Sequence, residues 1–283
     1  MTLTHTVDRT PPDTEQDGSV PLAERAGSVL DGILANPLVG LSPWILYSLV
    51  EGQGRLELSA GVALGFAVVI LSLNWIRGAS PKIFEYSDVA YFAGLAIVVA
   101  FAGPTLRTWL EAWGGEVANV AVLAIALGSV LIRIPFTLQY AREDTPKEYW
   151  HTPEFLRVNY LITWVWVVAF AIEAVSGLVG DAVLHNPNNI WTGWIIQTLP
   201  LIVAAQFTIW YPARLEAIRD GRSEAVPTVR NFLATVMPWI TITGIVVLSA
   251  GGSPESVGIA LIVAGIVATR LCTGPTADEA TTT

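Results

Sequence analysis

Cysteine and histidine are scarce in this 283-residue chain, which has one of the first and three of the second. A lone Cys272 excludes an internal disulfide and any CxxC metal or redox site. At the end of the last apolar run it reads as a small apolar filler. His5, His151 and His185 fall in a tail and two separate loops, so they form neither a haem pair nor a hydrolase triad. Charge is thin as well, at 14% of residues against about 25% in soluble domains. No Walker loop, GxGxxG, GxSxG, HExxH or EF-hand pattern is present. An enzyme using the common catalytic side chains is therefore disfavoured, and no cofactor is implied. Lys and Arg form no basic patch, which removes nucleic acid as a partner. The formal charge of −9 could suit a basic partner. The acids, however, gather in the first residues (Asp8, Asp13, Glu15, Asp17, Glu24) and in short loops, as solvated charge does. The opening MTLTHTVDRTPPDTEQDGS has no apolar core and does not read as a secretory signal.

What fills the chain instead is hydrocarbon. Hydrophobic residues make up 53%, with 11 Trp and 24 Gly, a composition suited to interface belts and close helix packing in lipid. A spanning helix needs roughly 20 mostly apolar residues. Eight such runs occur, near Ile33–Val50, Leu58–Ile76, Tyr86–Ala102, Val117–Leu138, Val158–Val179, Ile190–Tyr211, Asn231–Ala250 and Glu255–Leu271. The fold class is an all-α integral membrane protein of about eight transmembrane helices with both ends in the cytoplasm. Residues 29–272 form the membrane domain, and 1–28 and 273–283 read as disordered tails. Pro37, Gly40 and Pro43 predict a kink or an irregular start in the first run.

Cations orient this arrangement. With eight spans, every Lys and Arg except Arg55 and Arg107 falls on the cytoplasmic side, a strong positive-inside bias. Arg133 lies within the fourth run, close enough to its cytoplasmic end to snorkel. Trp109, Trp113, Trp191 and Trp194 fit an outer aromatic belt. Two hairpins on the cytoplasmic side echo one another. Phe136-Thr137-x-x-Tyr140-Ala141-Arg142 aligns with Phe207-Thr208-x-x-Tyr211-Pro212-Ala213-Arg214, and Asn159-Tyr160-Leu161-x-Thr163 aligns with Asn231-Phe232-Leu233-x-Thr235. Either a parallel repeat of two-helix units or a chance match of common apolar residues explains them.

Glu173 is the carboxylate set deepest in an apolar run. Ionisable groups at such depth are costly, and are functional hypotheses by default. It reads either as a proton- or cation-linked site or as a carboxyl bonded to a neighbouring helix. Gln197, Gln206 and Thr241 are its candidate companions, with Pro200 and Pro238 opening the backbone of their helices. On the cytoplasmic side Arg142, Glu148, His151, Glu154, Arg157 and Arg214 form a candidate interaction surface for a protein partner. Glu148, His151 and Glu154 follow helical spacing, but Pro153 and the lack of a second His argue against a metal. Thr145-Pro146 and Thr152-Pro153 are candidate helix starts.

The stretches NPLVGLSPWILYSLV (36–50), RGASPK (77–82) and FAGLAIVVAF (92–101) together resemble the intracellular septation protein A-like group of inner-membrane proteins. PFTLQYARED (135–144) is similar to a wider set of polytopic bacterial proteins. The resemblance covers about the first five spans, and the second half departs from it. It implies a bacterial cytoplasmic membrane and a cell-envelope role, and carries no site residue. Two functions follow as expectations. One is a non-enzymatic envelope organiser or partner-binding platform working through its loops. The other is a small-molecule permease or exporter with a polar site near Glu173.

Overall fold

The computed structural model describes residues 36–273 apart from 81, 187, 188 and 252, together with 32 and 34. Both predicted tails, save Thr273, lie outside the described residues. Ten α-helices follow one another among the described residues from 36 onward: α1 Pro37–Val50, α2 Leu56–Ile76, α3 Ile83–Phe101, α4 Pro104–Leu131, α5 Phe136–Asp144, α6 Pro153–Leu178, α7 Ile196–Arg219, α8 Val229–Val236, α9 Pro238–Ala250 and α10 Glu255–Thr273. No strand occurs among the described residues. The π turns Val179–Val183 and Trp191–Ile195 extend α6 and lead into α7. Counting α8 and α9 as one span, seven helices are long and apolar enough to cross a membrane. The protein is a multi-pass, all-α membrane protein.

Local chemistry sets the helix ends. Asn36 caps α1, its Oδ1 accepting from Leu38 N at 2.9 Å, and Pro37 fills the first helical position. Thr152 and Pro153 do the same for α6, where Thr152 Oγ1 accepts from Phe155 N at 3.4 Å. Thr228 and Asn231 form a reciprocal capping box at α8. Gly251, with φ 68°, closes α9 in a conformation that a Cβ would strain.

Three expectations need correction. The first run is helical from Pro37 through Pro43, without an irregular start, because Ser42 Oγ donates to the Val39 carbonyl that Pro43 cannot serve. It has only 14 residues, the single predicted span below crossing length. The fourth run is not one helix to Leu138. Helix α4 ends at Leu131, Arg133 adopts φ 64° in the turn that follows, and α5 begins separately at Phe136. Arg133 thus belongs to a turn, not to a spanning helix. The Phe136 stretch lies on that short helix while its Phe207 counterpart lies inside the continuous α7, so the two stretches sit in different settings.

The core runs between α1, α3, α4, α5 and α6, and includes Trp44, Tyr47, Phe84, Phe92, Phe136, Tyr140, Trp166 and Phe170. Helices α9 and α10 pack closely because Gly244, Gly258 and Gly265 admit neighbouring backbone and side chains where a Cβ would stand. Arg230 Nη2 of α8 donates to the Leu271 carbonyl of α10 (2.9 Å), and Trp191 Nε1 reaches Ser253 Oγ at 3.1 Å.

Candidate functional site

One face of α1 organises the buried polar residues. Gly40, Trp44, Tyr47 and Glu51 follow at helical spacing, the last just past the helix end, and each meets a different partner. Gly40 lies under the Tyr140 hydroxyl of α5, Trp44 bonds Asp88 of α3, and Tyr47 sits over Gly114 of α4. The Glu51 carboxylate occupies the space that a side chain at Gly115 would need.

At the Gly40 end lies an ionic cluster whose partly exposed member is Glu143, at 22%. The turn at Arg133 sends α5 back over the start of α3. There Gln139 Oε1 accepts from Ile83 N at 2.6 Å, serving an orphan amide of the first turn. Lys82 Nζ stands 3.0 Å from Glu85 Oε1 and 2.8 Å from Glu143 Oε1, and lies over the Tyr140 ring. Asn74 Nδ2 donates to Glu85 Oε1 at 2.6 Å, and Trp44 Nε1 to Asp88 Oδ1 at 2.6 Å. Lys82, Glu85 and Asp88 are 0%, 2% and 1% exposed, so these charges have almost no water to stabilise them. Glu85 Oε2 and the Tyr140 and Tyr91 hydroxyls have no hydrogen-bond partner among the described residues. Burial, with Glu85, Asp88 and Glu143 adding negative charge, pushes the Tyr140 phenol well above its ordinary value and keeps its proton in place.

A second group stands at the Glu51 end. Glu116 of α4 presses against Gly177 of α6, one turn beyond Glu173 on the same face. Asn119 Nδ2 lies 3.5 Å from Glu116 Oε1, while Glu116 Oε2 is buried and unpartnered. Burial, and secondarily the charge of Asp181, pushes Glu51 up to about 7. Glu173 is half-buried and makes no hydrogen bond among the described residues. The glycines at 114, 115 and 177 make room for Tyr47, Glu51 and Glu116 respectively.

The companions expected for Glu173 are placed elsewhere. Gln197 Nε2 donates to the Thr192 carbonyl at 2.9 Å, an acceptor it shares with Ser176 Oγ. Gln206 is half-buried without a hydrogen bond among the described residues. Thr241 packs against Gly265 of α10. On the loops, Arg142 lies over the Trp150 ring at 5.2 Å, and Arg214 donates to the Pro227 carbonyl at 2.7 Å, pinning the turn before α8. Glu148, His151, Glu154 and Arg157 are exposed. No group of three or more His, Cys, Asp or Glu side chains able to hold a metal occurs among the described residues.

Lys82, Glu85, Asp88, Asn74, Glu116 and Asn119 were not singled out from sequence as a site. Helix α3 starts at Ile83, three residues before the apolar window, and α4 starts at Pro104, far ahead of Val117. Both shifts carry carboxylates that resembled loop charge into the helices. The i, i+3 spacing of Glu85 and Asp88 was the available signal. Searches for matching family models, curated proteins and solved structures return nothing for this chain.

Proposed function

We propose that the protein is a small-molecule permease or exporter whose path follows the polar face of α1. The observation carrying this reading is that two polar groups inside the bundle, the buried Lys82–Glu85–Asp88 and Glu51–Glu116–Glu173 with Glu116 buried and the other two half-buried, are connected by that single helix face. Burying ions costs several kcal/mol each, and a structural staple at one end would explain only one group. Transport needs several intramembrane polar anchors, and here they come from four elements, α3, α4, α6 and the end of α1. Helix α1, at 14 residues, is shorter than the seven crossing helices. At 1.5 Å per residue it covers about 21 Å, against a hydrocarbon core of about 30 Å. Burial of Phe136, Thr137, Leu138 and Tyr140 commits more than one side of α5 to the bundle, which leaves less of that connector for an outside partner.

The positive-inside bias supports a cytoplasmic location for the Lys82 end, and the resemblance to the septation group supports a bacterial cytoplasmic membrane. The test is complementation of a deletion strain. Glu116→Gln and Glu173→Gln should fail to restore its phenotype, while Glu148→Lys combined with Glu154→Lys should restore it. The opposite pattern would replace the permease with a platform acting through its loops.

A further inference from the structure

We infer that Asp88 is a proton-binding site, loaded from water at the Lys82 end and sensed by the indole of Trp44. This inference rests on the permease reading and names its coupling ion. Three carboxylates, Glu85, Asp88 and Glu143, converge where there is one ammonium, Lys82. The ammonium is divided between Glu85 at 3.0 Å and Glu143 at 2.8 Å. Asp88 instead receives a neutral donor, Trp44 Nε1, at 2.6 Å, and no cation pairs with it among the described residues. Its carboxylate is 1% exposed. A buried charge without a counter-ion is relieved most simply by a proton.

The surroundings are accounted for on every side. On α3 itself stand Glu85 one turn before, Tyr91 one turn after and Lys82 at the N-cap. Helix α1 brings Trp44 and Tyr47, α2 brings Asn74, and α5 brings Tyr140 and Glu143. Helix α4 meets the far end of α3, where Arg107 Nη2 donates to the Val99 carbonyl at 3.1 Å. A proton is the fitting occupant because it needs no coordination shell, and no metal-binding group is present among the described residues. It arrives from bulk water, resides on the Asp88 carboxyl while Oδ1 keeps the indole hydrogen bond, and returns to water. No other bond changes. Glu143, the partly exposed carboxylate of the cluster, marks the side of it that faces water.

Infrared difference spectra of the purified full-length protein, recorded between acidic and alkaline buffer, test this without any transported solute. The wild type should show a protonated-carboxyl C=O band that Asp88→Asn removes and Glu85→Gln retains. In Trp44→Phe the band should move to higher wavenumber, because its hydrogen-bond donor is gone. Asn keeps an acceptor for Trp44; should that variant nevertheless misfold, the shift in Trp44→Phe decides alone. Failure of Asp88→Asn to remove any carboxyl band, loss of the same band in Glu85→Gln, or no shift of it in Trp44→Phe overturns the assignment. Such a failure removes the proton site and leaves the permease to the complementation test.

Discussion

A Cβ added at Gly40 would collide with the Tyr140 hydroxyl, a group that is itself buried and unpartnered. Overpacking of this kind costs about 1–3 kcal/mol. Gly40→Ala should therefore lower the melting temperature in detergent, and Tyr140→Phe should restore most of the loss by deleting the obstructing atom. A double-mutant cycle measures the coupling; additive effects would show that the two residues do not meet. Glu51 offers a second handle at this scale. Its folded value, about 7, lies above the ordinary 4.5. The folded state then binds more protons than the unfolded one between those values, so stability falls as pH rises from about 4.5 through about 7. The full effect is of order 3 kcal/mol. Melting curves from pH 5 to 8 should slope downward in the wild type and flatten in Glu51→Gln.

Two contacts between elements set how the helices hold together. Lys82 anchors the start of α3 to α5 through Glu143. Removing one member of a buried ion pair costs about 3–5 kcal/mol, whereas removing both partners is often much less damaging. Lys82→Met should be markedly destabilised, and adding Glu85→Gln should recover part of the loss in the same denaturation assay. The α9–α10 pair depends on close approach instead. A Cβ at Gly244 would lie 2.7 Å from the Gly258 carbonyl oxygen and 2.8 Å from Ile262 N. Backbone cannot swing aside as a side chain can, so Gly244→Val should separate the two helices. Faster proteolysis at the loop after Ala250 is the expected sign; unchanged cleavage would show that the pair has slack.

Across the whole molecule, the helical membrane fold was legible because hydrocarbon length is a coarse property that apolar runs report directly. Cap residues were legible too: Thr152-Pro153 does start α6. Helix ends inside charged stretches were not, since hydropathy windows stop at the first carboxylate even when the helix continues. That is why Glu85 and Glu116 fall one residue outside the runs that begin at Tyr86 and Val117, and why the break at Arg133, which turns α5 inward, escaped notice. Glu173 was found because it is far from any window edge. Its neighbour Glu116 comes from another helix, and spacing along one helix says nothing about such a pair. Orientation is open to direct measurement. In a Cys272→Ser background, Glu111→Cys should react with an impermeant thiol reagent from outside, and Glu148→Cys should react only after the membrane is opened. Reaction of Glu148→Cys in intact cells would reverse the orientation.

Fourteen residues in α1 also make the lipid a participant. A helix this short can match the bilayer only where the acyl chains compress around it, at a cost that grows with each added ångström of chain. In vesicles of graded chain length, the thinner bilayers should hold α1 at full depth. Thicker ones should draw its ends inward or pull the leaflets toward them.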